Sequence, residues 1–290
     1  MIPSERSIEY AEPRPGFRLT PTDIDMIRAV YEYRFLHVDH VSALVGRSYK
    51  KVHGRLSKLV QGGFLARIEF PFQKHIYVIG REGIGLLVEQ GMAPRERIEC
   101  RLRHHELKEL FLKHQLMLVD LHCILELVCR GTALRLASWR EGKELWDRVC
   151  TSLDRKRVEL PVCPDSFFVL EDSSRPEGKN RLNFFVEADR STTTHKRFEQ
   201  KLRAYYEYLR SGCHTDKFGI KTFRVLTFTL TEQRALGLCA AARATLPQDA
   251  YKHFLFTTSK CVSLVNPQAM LSDIFIGPEE AGRVRLVPMN

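Results

Sequence analysis

The sequence predicts an α/β protein, α+β overall, in which a small helical domain with a β-hairpin precedes a larger domain of strands and helices. Three patterns support this prediction. Apolar residues recur at helical spacing between residues 22 and 61. Two short runs with strand character follow between residues 64 and 79, and strand and helix patterns alternate from residue 103 onward. The expected organisation is a flexible arm at 1–19, a first domain at 20–91, a linker at 92–102 and a second domain at 103–290.

The first domain is predicted to contain three short helices followed by a hairpin. Thr22 is a suitable N-cap for the first helix, and Gly46 suits the left-handed position that ends the second. Three helices with a tight glycine turn between the second and third, followed by a β-hairpin, are typical of a winged helix-turn-helix. The predicted elements are helices at 22–34, 38–45 and 48–61, strands at 64–70 and 75–79 around a turn at 71–74, and a helix at 81–91.

The charge balance of the 290-residue chain favours a polyanionic partner. Lys and Arg number 45 against 35 Asp and Glu, which gives a formal net charge of +10 and a pI near 9.3. Neutralising phosphates releases condensed counterions, so such an excess suits nucleic acid. No segment approaches the roughly 18 apolar residues of a membrane span, and residues 1–18 lack the apolar run of a secretory signal. We therefore expect a cytoplasmic protein, associated with the nucleoid or a plasmid, that does not contact membranes.

The cysteine and histidine patterns do not favour a zinc site. The eight cysteines are scattered, without any Cys-x-x-Cys pair, which indicates free thiols in a reducing compartment. His37 and His40 stand at helical spacing without Cys or Glu partners, so a solvated helix face is the favoured interpretation.

The third helix presents basic and hydrogen-bonding side chains opposite its apolar stripe, as a helix that enters the DNA major groove requires. We expect Arg47, Lys50 and Lys51 to contact bases or phosphates, and Arg55 and Lys58 to contact phosphates. The alternative is a winged helix used for protein contacts, with a solvated basic face. The predicted DNA-binding residues are Arg47, Ser48, Tyr49, Lys50, Lys51, His53, Arg55 and Lys58 on the helix, and Arg67, Gln73, Lys74 and His75 on the hairpin.

The second domain is predicted to have the element order αβββαβ, followed by an additional helix and strand. A long polar excursion through Asp154-Arg-Lys-Arg157 separates its first two strands, and a polar loop at 171–181 separates the next two. The predicted elements are helices at 106–129, 194–209 and 232–245 and strands at 133–138, 166–170, 183–189, 223–229 and 253–257.

Carboxylates mark two neighbouring strands of this domain. Asp165 follows Pro164 at the start of one strand, and Glu187 and Asp189 lie two residues apart on the next, so both leave the same face. If the strands pair as a hairpin, Asp165, Glu187 and the loop 171–181 converge. Converging carboxylates hold Mg²⁺ for phosphodiester hydrolysis. The alternative is that these acids form an ordinary solvent-exposed strand face.

This constellation resembles the PD-(D/E)xK nuclease fold, whose core is also αβββαβ. The acid after proline and the first acid of the following strand are present as Asp165 and Glu187. Asp189 stands where that family carries its lysine, and the resemblance implies that Lys201 on the following helix supplies the lysine instead. The implied catalytic set is Asp165, Glu187, Asp189 and Lys201, with Mg²⁺ bound by the three carboxylates.

The whole chain resembles the replication-relaxation family of plasmid and mobile-element proteins, which join a winged helix to a degenerate nuclease-like domain. The resemblance extends over about residues 20–230. It implies a DNA-binding accessory role in plasmid replication, relaxation or mobilisation, with replication or mobilisation proteins as partners. The matching segments are Thr20–Ile79, Leu112–Leu121, Pro164–Leu170, Phe184–Thr192 and Lys201–Tyr205.

Three functional hypotheses follow. The first is a duplex-DNA-binding accessory protein with a nuclease-like domain that does not cleave. The second is an active Mg²⁺-dependent endonuclease, and the third is a transcriptional regulator with a C-terminal dimerisation or sensing domain. In each case a winged helix that reads a palindrome is expected to act as a homodimer.

Overall fold

The computed structural model forms two compact units, Met1–Cys123 and Ile124–Asn290. Their boundary falls inside a helix rather than in the predicted linker, of which residues 93–102 lie outside the described part of the chain. The structure describes residues 7–9, 18–71, 73–92, 107–153, 156–191, 193–279 and 282–287.

Unit 1 contains the predicted helices. They are α1 (Pro21–Tyr33), α2 (Val38–Val45), α3 (Tyr49–Gln61) and α4 (Arg81–Glu89), followed by α5 (Glu109–Cys129), whose last residues belong to unit 2.

The start of α1 differs from the prediction. Thr20, not Thr22, is the N-cap: its hydroxyl accepts the N–H of Asp23, and the Asp23 carboxylate accepts the N–H of Thr20 at 2.6 Å. Pro21 then occupies the first helical position, where a missing N–H costs nothing. The turn between α2 and α3 agrees with the prediction, because Gly46 adopts a left-handed φ of +64°.

The sheet of unit 1 has three antiparallel strands in the order β1 (Ser7–Glu9), β2 (Leu65–Glu69) and β3 (Ile76–Ile79). The β2–β3 hairpin was predicted. Strand β1 lies in the segment that was predicted to be a flexible arm, and its backbone pairs with β2 from Ser7 opposite Glu69 to Glu9 opposite Arg67. The prediction missed it because three residues carry too little pattern to define a strand.

The first part of α5 packs in unit 1, although the whole helix was assigned to the second domain. Leu112 is buried in one apolar cluster with Phe35, Ile68 and Ile76. His40 is also buried, and its Nε2 lies 2.6 Å from Oδ1 of Asp120 on α5. His40 therefore does not lie on the solvated helix face that the sequence favoured.

A buried carboxylate links the first and third helices. Asp23 is fully buried, and both of its oxygens accept N–H groups of Arg55 at 2.5 Å. A third hydrogen bond joins Arg55 to the carbonyl of Arg18 at 2.9 Å. Burial raises the pKa of Asp23, but the hydrogen bonds from Arg55 and Thr20 more than offset it, so its pKa lies below the ordinary value.

Unit 2 is built on a seven-stranded sheet in which β4, β7 and β8 are antiparallel neighbours and β8, β9 and β10 run parallel. From one edge to the other its strands are β12 (Arg283–Val284), β11 (Phe275–Ile276), β10 (Phe254–Thr258), β9 (Arg224–Thr229), β8 (Arg181–Asp189), β7 (Ser166–Asp172) and β4 (Leu134–Glu141).

Two helices cover one face of this sheet. They are α6 (His195–Ser211) and, after the short α7 (Cys213–Phe218), α8 (Glu232–Thr245). Phe198 and Leu202 of α6 and Leu238 of α8 pack on Phe185 and Phe256 of the sheet in one apolar core. The predicted helices and strands occur in their predicted order, and the α/β class is confirmed. The short α7 and the short strands β11 and β12 were not predicted.

The polar excursion between β4 and β7 contains a hairpin that was not predicted. Strands β5 (Asp147–Leu153) and β6 (Lys156–Val162) form a separate two-stranded sheet. Val149 and Val162 join the core beneath α6, and Asp147 accepts the hydroxyl of Tyr208 at 2.6 Å. Charged residues on the outer face of this hairpin obscure the alternation of apolar and polar residues from which strands are predicted. None of the helices described here has the length and apolar character needed to cross a membrane.

We expect Arg55→Ala to lower the free energy of unfolding of unit 1 by about 3 kcal/mol, because Asp23 would be left buried without its cation. Denaturant unfolding monitored by circular dichroism measures the change. The contribution of Asp23 should persist above its unfolded pKa of 3.8 and disappear as the pH falls through its lower folded pKa.

The matched control is Arg28→Ala, which removes an exposed arginine paired with Glu32 one turn away on α1. Its cost should not exceed about 0.5 kcal/mol. Equal effects of the two substitutions would contradict a structural role for Arg55.

Candidate functional site

The exposed face of α3 in unit 1 carries most of the predicted DNA-binding residues. Its apolar side is buried through Val52, Leu56 and Leu59, so the opposite side is open to solvent. Within the described residues, no ion pair engages Lys50 or Lys51. The predicted residues found exposed on this helix and its N-terminal turn are Arg47, Ser48, Tyr49, Lys50, Lys51, His53 and Lys58.

Two predicted phosphate contacts have partners inside the unit. Arg55 binds the buried carboxylate of Asp23. Arg67 is partly buried, and its Nε lies 2.6 Å from the carboxylate of Glu69 on the same strand. Arg55 stabilises the fold through its buried partner, whereas Arg67 pairs with a partly exposed glutamate two residues away. The sequence did not indicate the partner of Arg55, because Asp23 lies on another helix.

The hairpin turn brings Gln73, Lys74 and His75 beside α2 and α3. Lys74 forms an exposed ion pair with Asp39 of α2, and Gln73 donates to Glu109 at 3.3 Å. The carbonyl of His75 lies 2.8 Å from Nδ1 of His37. These contacts hold the turn close to the N-terminus of α2.

In unit 2, β7 and β8 pair as the predicted hairpin and bring two predicted acids together. The N–H of Asp165 donates to the carbonyl of Val186 at 3.0 Å, and Oδ2 of Asp165 accepts the N–H of Ala188 at 2.8 Å. This places Asp165 beside Glu187. The loop after β7 is at the opposite end of the hairpin, because a connecting loop cannot meet the far ends of the strands it joins. The predicted convergence of loop 171–181 with these acids was therefore wrong.

Glu187 is buried and meets two side chains of α6. Lys201 donates to Oε2 and the hydroxyl of Tyr205 donates to Oε1, the latter at 2.6 Å. Lys201 and Tyr205 are four residues apart, so they leave the same side of the helix. The convergence of Lys201 with Asp165 and Glu187 agrees with the arrangement that the resemblance implied. Tyr205 was not among the predicted site residues.

Burial dominates the electrostatics of this cluster. It raises the pKa of Glu187, and the ammonium of Lys201 only partly offsets it. Burial lowers the pKa of Lys201, but Glu187 and Asp165 more than compensate, so its pKa is raised and the ammonium keeps its proton. The pKa of Tyr205 is raised well above its ordinary value by burial and by Glu187.

Asp189 has a different partner. It leaves the same face of β8 as Glu187, but both of its oxygens accept N–H groups of Arg234 from α8, at 3.0 and 2.9 Å. Arg234 also donates to the carbonyl of Thr193. Arg234 lies 45 residues from Asp189 in the chain, and no local pattern signals this pair.

The donor set departs from the predicted magnesium site at Asp189, which Arg234 neutralises. Mg²⁺ requires about six oxygen ligands, usually including one or two carboxylates. Both oxygens of Glu187 accept hydrogen bonds, and Arg234 neutralises Asp189. In the part of the chain that the structure describes, no three or more His, Cys, Asp or Glu side chains are grouped to hold a metal ion. The structure thus assembles Asp165, Glu187 and Lys201 without Asp189.

Comparison with known proteins identifies the family. A model of the replication-relaxation family matches residues 27–223, more than half of the chain. The chain belongs to the replication-relaxation family, as its sequence predicted. This membership indicates a role in the replication or relaxation of plasmid or mobile-element DNA. No curated protein and no solved structure matches the chain significantly.

We expect Lys201→Met to destabilise unit 2 by about 2 kcal/mol at pH 7.5 and by less near pH 4.5. Without the ammonium, the folded pKa of Glu187 rises further above its unfolded value of 4.5. The loss of stability is absent at pH values where Glu187 is protonated in both the folded and the unfolded protein. It grows as the pH rises from the unfolded pKa of Glu187 to its higher folded pKa. Tryptophan fluorescence reports on unit 2, because Trp139 and Trp146 are the only tryptophans of the chain.

Lys196→Met is the control, since Lys196 is exposed on the same helix. It should leave the unfolding free energy within about 0.5 kcal/mol of the parent at both pH values. A pH-independent loss in Lys201→Met would show that the lysine acts through packing alone.

Proposed function

We propose that this protein is a DNA-binding accessory factor of plasmid or mobile-element replication or relaxation. Unit 1 binds duplex DNA as a winged helix-turn-helix, with α3 in the major groove and the β2–β3 hairpin along the flanking backbone. Unit 2 is a nuclease-like domain that does not cleave DNA.

The charge of α3 is the observation that carries the proposal. The helix contains Lys50, Lys51, Arg55 and Lys58 and no acidic residue. Lys50 and Lys51 lie in the first turn, where the helix dipole disfavours cations and an acid would be the stabilising choice. A nucleic-acid phosphate at this end offsets that cost by meeting both lysines and the unpaired N–H groups of the turn.

The geometry around α3 supports the same proposal. Gly46 joins α2 to α3 by a tight turn, and the buried stripe of α3 leaves its basic side accessible. Contacts between Lys74 and Asp39 hold the hairpin turn beside that face. A helix and a hairpin that present polar side chains together match the docking geometry of a winged helix.

The carboxylate cluster supports a nuclease-derived origin for unit 2 without supporting cleavage. Asp165, Glu187 and Lys201 meet at the ends of two interior strands, β7 and β8, of a mixed sheet, which favours the nuclease-like hypothesis over a simple sensing domain. The pairing of Asp189 with Arg234 removes one of the three predicted carboxylate ligands from the site. We therefore favour a unit 2 that has kept the arrangement of Asp165, Glu187 and Lys201 and has lost DNA cleavage.

We expect Lys50→Ala with Lys51→Ala to weaken duplex binding and to reduce its salt dependence. Each lost phosphate contact should reduce the magnitude of the slope of log K against log salt by about 0.9. The slope of the double variant should therefore be smaller in magnitude by about 1.8. Fluorescence anisotropy of a labelled duplex, repeated at salt concentrations from about 50 to about 300 mM, measures both the affinity and its salt dependence.

Arg81→Ala tests whether any lost positive charge has this effect, because Arg81 is exposed on α4. It should leave the slope unchanged. If the double variant also keeps the parent slope, α3 does not face the DNA backbone.

We expect no nicking of supercoiled plasmid by the full-length protein with Mg²⁺, and the same result for Asp165→Ala. Agarose gels that separate supercoiled from open-circular DNA provide the measurement. Nicking by the parent protein that Asp165→Ala abolishes would establish the endonuclease hypothesis instead. Nicking that survives in Asp165→Ala would indicate a contaminating activity, which a further purification step removes.

A further inference from the structure

A groove in unit 1 lies between the N-terminus of α2, the exposed face of α3 and the hairpin turn. Its volume is about 230 Å³, which is sufficient for a nucleic-acid base. The side chains that define it are Asp39, Tyr49, His53, Gln73, Lys74 and His75.

One wall of the groove is an aromatic stack. The rings of Tyr49 and His53 are almost parallel, with an interplanar angle of 8° and centroids 6.0 Å apart. They lie one turn apart on α3, and Tyr49 is 51% exposed. Successive bases of single-stranded DNA stack on such rings, because every base has an apolar face.

The other wall contains a carboxylate within a basic surface. Asp39 is partly exposed and forms an ion pair with Lys74, which is itself 69% exposed. A carboxylate repels phosphate, so its presence here does not serve backbone binding. Its favourable partner on DNA is an exocyclic amino group, such as N4 of cytosine.

We propose that this groove binds one unstacked base of DNA, with cytosine preferred over thymine. The base stacks on Tyr49, its amino group donates to Asp39, and Lys74 leaves Asp39 to meet a neighbouring phosphate. The inference rests on the proposed DNA-binding function and adds to it a single-stranded ligand. A protein that holds an unpaired base stabilises locally opened DNA.

The test measures binding of the full-length protein to labelled 12-nucleotide oligo(dC), oligo(dT) and a duplex of the same length. We expect the parent to bind oligo(dC) about tenfold more tightly than oligo(dT), the size of one good base-specific contact. Tyr49→Leu should weaken oligo(dC) binding about tenfold, whereas Tyr49→Phe keeps the ring and should retain it.

Asp39→Ala should abolish the preference for oligo(dC) and strengthen binding to oligo(dT), because it removes both the amino acceptor and a negative charge. Asp25→Ala removes an exposed acid of α1 and should keep the preference. Thermal unfolding of each variant confirms that unit 1 is folded.

The outcomes separate this inference from the proposed function. Duplex binding without a preference for oligo(dC), or equal losses of duplex and oligo(dC) binding in Tyr49→Leu, overturns the base-binding groove and leaves the winged-helix proposal intact. Absence of binding to all three DNAs overturns both.

Discussion

Buried acidic side chains in both units depend on a specific cation for each carboxylate. Taking an ionised carboxylate out of water costs several kcal/mol unless a cation and hydrogen bonds compensate. Arg55 meets Asp23 in unit 1, and Lys201 and Arg234 meet Glu187 and Asp189 in unit 2. Each pair joins two different secondary-structure elements, so the pairs help to specify how the helices pack.

These pairs also determine which charges remain for an external partner. Arg55 is committed to Asp23 by a contact on the inner side of α3, whereas Lys50 and Lys51 point away from the apolar stripe. In α3 the inward-facing Arg55 stabilises the fold, whereas the outward-facing Lys50 and Lys51 remain exposed. The residue that stabilises the fold therefore differs from the residues proposed to bind DNA. Substitutions at Lys50 and Lys51 should therefore test the proposed DNA binding without removing the contact between Arg55 and Asp23.

In unit 2 the same need to pair buried carboxylates affects the acids that resemble a nuclease motif. The order of the acids along the chain indicates a metal site, but the pairing with Arg234 neutralises Asp189. Burial raises the pKa of Glu187, and Tyr205 and Lys201 occupy its oxygens. The hydrogen bonds from Lys201 and Tyr205 to Glu187 tie α6 to the sheet, and removing one member would leave the others buried and unpaired.

The sequence by itself determined the types and order of the longer helices, of the β2–β3 hairpin and of strands β4, β7, β8, β9 and β10, and it determined the basic face of α3. Helix α8 was predicted at its observed bounds, and Gly46 marked the turn before α3. These features depend on periodicity and turn chemistry within one element. The tertiary structure decided the pairing of β1 with β2, the β5–β6 hairpin and the choice of Arg234 for Asp189. The contacts of β1 and of Arg234 join residues far apart in the chain, and all three features depend on strand register and on the burial of whole surfaces, which no local pattern records.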